Sequence, residues 1–161
     1  MMKRLILMRH AQAQLERFGF NDRERSITIA GMHELDAIRL KLRGHLENVS
    51  LILCSNAKRT RQTLETIKPL VPTTADIVYK DQLYHTSSRM LWNHLWELGE
   101  THQCVMIMAH NPGLTQFIQE LELTVPFKEF PTSGVAICQG DCISWQQALP
   151  KTLKLQTFLT A

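Results

Sequence analysis

Nowhere does the 161-residue sequence hold an apolar run long enough to cross a membrane. The N-terminal stretch Leu5 to Met8 is far too short, and no small-residue cleavage site follows it as in a secretory leader. The expectation is a cytoplasmic chain with no membrane partner. The four cysteines, Cys54, Cys104, Cys138 and Cys142, show no CxxC spacing, so neither a zinc ribbon nor a redox motif is signalled and a reduced, structural role is expected. A long basic stripe is also missing. Arg23 and Arg25, like Arg39, Lys41 and Arg43, are interrupted by apolar or acidic residues and read as solvated faces. A formal charge of +3 and a pI near 8.8 therefore suit anionic ligands in general but exclude an obvious nucleic-acid footprint. Internal repeats, low-complexity segments and interdomain linkers are absent as well, which leaves a single domain over residues 1–161.

What is present is an alternation of short apolar runs with longer amphipathic stretches, the pattern of a three-layer α/β/α sandwich with a mostly parallel central sheet. Arg4 to Met8, Ser50 to Cys54, Ala75 to Tyr79 and Cys104 to Ala109 read as strands. Continuous apolar runs of this length imply burial on both faces. Helices are expected from Thr28 to near Gly44, with Met32, Leu35, Ile38 and Leu42 as the apolar stripe, and over Ala57 to Pro69. Two more are expected from Ser87 or Ser88 to Gly99, and from Pro112 to about Leu121. Gly134 to Gln139 and Cys142 to Gln147 read as an antiparallel edge hairpin turning at Gly140-Asp141. Gln14 to Ser26, the most polar and least periodic stretch, reads as a loop.

In an open parallel sheet, ligands bind beyond the carboxyl ends of the strands. That rule singles out Arg9 and His10 after the first strand, and Ser55 and Arg59 after the second. It adds Lys80 and Asp81 after the third, and His110 with Asn111-Pro112-Gly113 after the fourth. Taken singly, a strand-end histidine is a surface or hydrogen-bonded group, and Arg59, between Lys58 and Arg61, is part of a solvated helix face. Taken together, two arginines, two histidines and a helix start suit a phosphoryl group. Guanidinium forks match phosphate oxygens and keep their charge, and helix starts add unsatisfied N–H donors. A neutral imidazole can attack phosphorus, and a second, protonated one can bond the equatorial oxygens.

Met8-Arg9-His10 resembles the Arg-His-Gly signature of the histidine phosphatase superfamily, the phosphoglycerate mutase-like family. Arg25-Ser26-Ile27-Thr28-Ile29-Ala30-Gly31 is similar to its "RPLTxxG" segment, and Cys54 to Thr63 (CSNAKRTRQT) to its "SSPxxRxxQT" segment. Ala109-His110-Asn111-Pro112-Gly113 matches its Gly-His-Asn-Pro-Gly, and Pro131-Thr132-Ser133-Gly134 a later "PTG" element. The order is conserved along nearly the whole chain. The resemblance implies a phosphoglycerate mutase-like fold in which His10 is the nucleophile and Arg9, Arg59 and His110 line the phosphate pocket. It implies neither cofactor nor metal. The length and the lack of a large cap insertion fit the short SixA-type branch, which implies phosphohistidine on a signalling protein, such as a histidine phosphotransfer domain, as substrate.

Two departures stand out. Ala11 replaces the signature glycine, which implies an ordinary backbone conformation there. The proton donor of the family has only Asp81 as a counterpart, and Asp81 reads equally as a surface carboxylate. A phosphohistidine substrate relaxes the need for such a donor. Two other readings are a phosphatase of a small phosphate ester or phosphosugar, and a non-catalytic module that docks phosphoproteins. Tyr84, His85, Trp92 and Trp96 read first as packing groups. His33, His45, His94 and His102 show no ligand spacing.

Overall fold

The computed structural model describes residues 2–161 apart from 123 and 126. Among them, strands β1 (Met2–Arg9), β2 (Leu51–Ser55), β3 (Asp76–Lys80), β4 (Cys104–Ala109), β5 (Val135–Asp141) and β6 (Leu153–Leu159) form one six-stranded sheet in the order β3-β2-β4-β1-β5-β6. The first four run parallel, while β5 pairs antiparallel with both β1 and β6. Every residue of β2 and β4 is buried, as their unbroken apolar runs require when both faces of a sheet are covered.

Alternation along β1 sends Ile6 and Met8 to one face and Leu5 and Leu7 to the other. The first face packs Leu35, Ile38 and Leu42 of α1 (Ile29–Leu42) and Leu64 and Ile67 of α2 (Lys58–Ile67). The second packs Leu91, Trp92 and Leu95 of α3 (Ser88–Trp96) and Leu114, Phe117 and Ile118 of α4 (Gly113–Leu121). These are the three layers expected. Trp92 stacks on Phe117 at 4.4 Å and on Trp96 at 6.0 Å, so both tryptophans are packing groups. The four cysteines are free and buried. No helix of the described residues is long and apolar enough to cross a membrane.

Thr28 caps α1, its Oγ1 accepting from Gly31 N at 3.0 Å. Gly31 rather than Met32 faces inward, because α1 begins hard against the chain after β1: a Cβ at Gly31 would overlap the Gln12 carbonyl. Met32 is left exposed, which corrects its place in the expected stripe.

The antiparallel edge also differs from expectation. Residues 142–147 are not its second strand; they carry a short 3-10 turn at Trp145–Gln147, and the partner of β5 is β6. The inward residues Cys142 and Trp145 lie three apart, a helical spacing that cannot line one face of a strand. Leu153 and Leu155, two apart, do so, and β6 absorbs one bulge opposite Ile137/Cys138. The sheet order puts β1 and β4 side by side at its centre, with the start of α2 beyond β2 next to them.

Candidate active site

The register pairs Arg9 with Ala109, so the residues that follow, His10 and His110, leave the sheet together. Their ring centroids lie 5.0 Å apart. Arg59, in the first turn of α2, reaches between them: its Nε–H donates to His10 Nε2 at 3.2 Å, and its Nη2 faces His110 Nδ1 at 3.5 Å. Arg9, His10, Arg59 and His110 thus line one cleft of about 260 Å³, with Arg25 and Asn111 also in its wall. All four residues singled out by the strand-end rule and the family resemblance come together there.

Hydrogen bonds fix the tautomers. His10 Nδ1 lies 2.7 Å from the Ala11 carbonyl, which can only accept, so Nδ1 carries the proton and Nε2 presents its lone pair. His110 has the opposite arrangement. Its Nε2 bonds Ser55 Oγ at 2.8 Å, and its Nδ1, facing the donor-only Arg59, holds the lone pair. Burial pulls His10 down to about 3, helped by the charges of Arg59, Arg9 and Arg25 and opposed by its bond to Ala11. Burial, then His10, Arg59 and Arg9, pulls His110 down to about 2. Both rings are therefore neutral near pH 7.

Arg9 is anchored by its far end. Nη1 donates to the Phe130 carbonyl at 2.7 Å and pairs with Glu129 at 3.3 Å. Its Nε–H is buried with no partner among the described residues, a charged donor left over at the cleft. The chain around His10 is held by Glu34 of α1. One carboxylate accepts from Gln12 N at 3.0 Å and from the Thr132 and Ser133 hydroxyls at 2.9 Å. Ser133, in the left-handed region at φ 55, donates its N–H to the His10 carbonyl at 3.0 Å. Ala11 is not among the positive-φ residues, in line with an ordinary backbone there; its N–H donates to Thr63 Oγ1 at 3.0 Å.

Two site residues come from places the strand-end rule does not reach. Asp22 sits on a 3-10 turn within the polar Gln14–Ser26 loop. It accepts from Arg59 twice, through its carbonyl at 2.8 Å and its carboxylate at 3.1 Å, and from Arg25 Nε at 2.6 Å. The Tyr84 hydroxyl also donates to it. Burial alone would raise the Asp22 carboxyl, but the Tyr84 hydrogen bond and the Arg59 and Arg25 contacts outweigh it and hold the group near 2. Asp22 is therefore a carboxylate. Tyr84 lies edge-on to His110 at 5.4 Å, with the Arg59 guanidinium 5.6 Å from its ring, so it packs directly against two of the site residues. An acidic residue just ahead of Arg23 and Arg25 in an otherwise aperiodic loop was the available signal for Asp22.

Asp81 stays apart. It begins the turn after edge strand β3, three strand spacings from β1, or about 14 Å across the sheet. Its carboxylate is 64% exposed, pairs with Arg23 at 2.8 Å and accepts from Asn56 at 3.4 Å. It is not part of the wall of the cleft. Among the described residues no group of three or more His, Cys, Asp or Glu is placed to hold a metal ion.

No family model matches the sequence. An uncharacterized protein of Mycobacterium tuberculosis is 27% identical over 139 residues, covering 81% of this chain and 85% of that protein. Among solved structures, a candidate phosphohistidine phosphatase SixA from Agrobacterium tumefaciens superposes with a TM-score of 0.81 at 27% identity, over 99% of both chains. One from Nakamurella multipartitia gives 0.82 at 24%, over 98% and 95%. A protein histidine phosphatase SixA complexed with tungstate gives 0.75 at 22%, over 98% and 96%.

Proposed function

Because the chain belongs to the histidine phosphatase superfamily, in its SixA-type branch, we propose that it is a phosphohistidine phosphatase working through a covalent phospho-His10 intermediate. We read residues 1–161 as one catalytic domain without a large cap. In this reading the Nε–H of Arg59 turns from His10 Nε2 to the phosphoryl oxygens, where the unpartnered Nε–H of Arg9 joins it, and the His10 Nε2 lone pair is released to face phosphorus. A bond forms from His10 Nε2 to phosphorus as the bond from phosphorus to the substrate imidazole breaks. The departing electron pair stays on that ring nitrogen. A proton on the other ring nitrogen lets the substrate imidazole leave neutral. His10 keeps its Nδ1–H on the Ala11 carbonyl, which stabilises the positive ring of the phospho-intermediate. Water then attacks phosphorus, inorganic phosphate leaves, and Nε2 regains its lone pair.

His110 has a charge-coupled part. A phosphoryl dianion in the cleft raises its affinity for a proton, and a proton taken up at Nδ1 supplies a donor to an equatorial oxygen. The two guanidinium groups supply the cationic charge that a metal supplies elsewhere, so activity is expected to persist in chelator.

The observation that carries the substrate class is the state of Asp22. Its carboxylate accepts from Arg59, Arg25 and the Tyr84 hydroxyl, bonds that hold it ionised, and it has no proton to give an alkoxide leaving group. A leaving imidazole needs none. Asp81, on the rim and paired with Arg23, serves as donor only to an ester whose leaving oxygen extends that far. The test is a phosphorylated histidine phosphotransfer domain followed by release of inorganic phosphate, against a panel of small phosphomonoesters. The reading requires turnover of the protein substrate, with loss of about 10³-fold or more for His10→Ala. Strong turnover of one ester, abolished by Asp81→Asn, would replace phosphohistidine with that ester. Stoichiometric binding without phosphate release would make the chain a phosphoprotein-docking module.

A further inference from the structure

The bridge between Ala13 and Ile27 closes the Gln14–Ser26 segment into a flap, held at its base by Gln14 N to Ser26 O at 2.9 Å and Arg25 Nη1 to Gln14 O at 2.6 Å. Asp22 fixes the inner side of the flap to Arg59. The flap also exposes apolar side chains. Leu15 is 84% exposed, Phe18 fully exposed and Phe20 51% exposed, all within six residues of one another. Side chains of this size present together on the order of 400 Å² of apolar surface, the scale at which a patch on a monomer marks a contact site.

Leu15, Arg17 and Phe20 of the flap line, with Lys58, a groove of about 350 Å³. It shares Glu24 and Lys58 with a wider groove of about 690 Å³ whose walls include Ile27, Met32 and Tyr79. The flap also borders the phosphate cleft, since Ala13 and Arg25 line that cleft while Gln14 and Ser26, their chain neighbours, line the groove. A continuous surface therefore leads from His10 outward past Gln14 and Ser26 to Leu15 and Phe20, with the fully exposed Phe18 between them in sequence. Arg17 and Lys58 hold no ion pair among the described residues, and Glu16 and Glu24 stand beside them. An apolar centre with a rim of both signs is the anatomy of a transient protein interface; a membrane-binding face would carry basic charge alone.

We propose that the flap is the docking surface for the protein that carries the phosphohistidine. Apolar side chains flanking that histidine pack on Leu15, Phe18 and Phe20, and nearby acidic ones meet Arg17 and Lys58 while the phosphoryl group enters the cleft. The proposal rests on the phosphohistidine phosphatase reading and specifies how that substrate is held.

The test compares wild type with Leu15→Ser/Phe18→Ser, whose side chains are too exposed to carry the fold, with melting temperatures as a control. Steady-state kinetics on a phosphorylated histidine phosphotransfer domain and on free phosphoramidate separate docking from chemistry. We expect KM for the protein to rise about tenfold or more with kcat/KM for phosphoramidate unchanged. Equal losses on both substrates, or none on the protein, overturn the proposal. Binding of the phosphorylated domain to His10→Ala, with and without the two flap substitutions, is read by calorimetry even if wild type turns nothing over. In that case the catalytic reading fails by itself, and unchanged affinity on flap substitution separately sinks the docking surface. Conversion of a dimer to a monomer by the flap substitutions, with protein kinetics unchanged, would assign the patch to self-association and overturn the proposal as well.

Discussion

Acidification from pH 7 to pH 5 sets the two buried imidazoles against their surroundings. In the unfolded chain each histidine titrates near 6.5, whereas in the fold His10 is pulled to about 3 and His110 to about 2. A depressed folded value means that the unfolded state binds the protons. The contribution to stability is then complete above pH 6.5 and is lost as pH falls toward 3 and 2. Each pH unit below 6.5 costs about 1.4 kcal/mol per histidine, so at pH 5 each loses about 2 kcal/mol and the pair about 4 kcal/mol. Solvent screening takes little from this, because the residues are only 6% and 5% exposed. The assay is urea denaturation at pH 7 and pH 5 of wild type and of His10→Asn/His110→Asn. Asp22, held near 2, keeps its charge across that window and does not confuse the comparison. Wild type should lose about 4 kcal/mol more than the double variant over the two pH units. Equal losses would mean that the rings are not held neutral, and the argument for an unprotonated His10 Nε2 would go with them.

Oxyanion binding should reverse part of this dependence. Tungstate, a dianion at pH 7, should bind wild type with uptake of close to one proton, measured by calorimetry in buffers of different ionisation enthalpy, and His110→Gln should abolish the uptake. Asp22→Ala leaves the bond from Arg59 Nη1 to the main-chain carbonyl but frees Nη2, and should lower kcat/KM by about 10- to 100-fold, the scale set by misplacing a positioned group. Asp22→Asn, which keeps an oxygen for Arg59, should recover part of the loss; equal loss in both would point to a proton-transfer role instead. Gly31→Ala drives a methyl group into the Gln12 carbonyl and should cost about 1–3 kcal/mol in urea denaturation, while Gly99→Ala, which meets only Thr101 Oγ1 at 3.9 Å, should not show that steric cost. Asp81→Asn should leave turnover of a phosphorylated phosphotransfer domain within about twofold of wild type.

The readable parts of the sequence were those where one physical requirement dominates. Cys104 to Ala109 must be buried on both faces, and the observed strand has those limits. Arg9, His10, Arg59 and His110 were legible because they follow apolar runs that end abruptly, and strand ends in a parallel sheet gather on one rim. Where two requirements compete, the pattern blurred. Residues 142–147 carry a strand-like composition, but Cys142 and Trp145 are spaced for a turn, and the alternating Leu153–Leu159 segment takes the edge. Met32 fits a 3.6-residue stripe, yet only a glycine fits where α1 touches the Gln12 carbonyl, and that contact sets the rotation of the helix. Asp22 was hidden for another reason: it reaches Arg59 from an aperiodic loop, and no periodicity marks where a loop returns. Asp81 obeyed the strand-end rule, but β3 lies at the sheet edge, and sequence order does not reveal strand order.

The most direct test of the central claim is to trap the intermediate. A phosphotransfer domain carrying radiolabelled phosphohistidine is mixed with the enzyme, quenched in alkali within milliseconds, and the phosphoenzyme mapped by mass spectrometry. The account predicts an acid-labile, alkali-stable phosphate on His10, formed before inorganic phosphate appears and absent from His10→Ala. Release of phosphate at the wild-type rate by His10→Ala, or a label found on another residue, would contradict it.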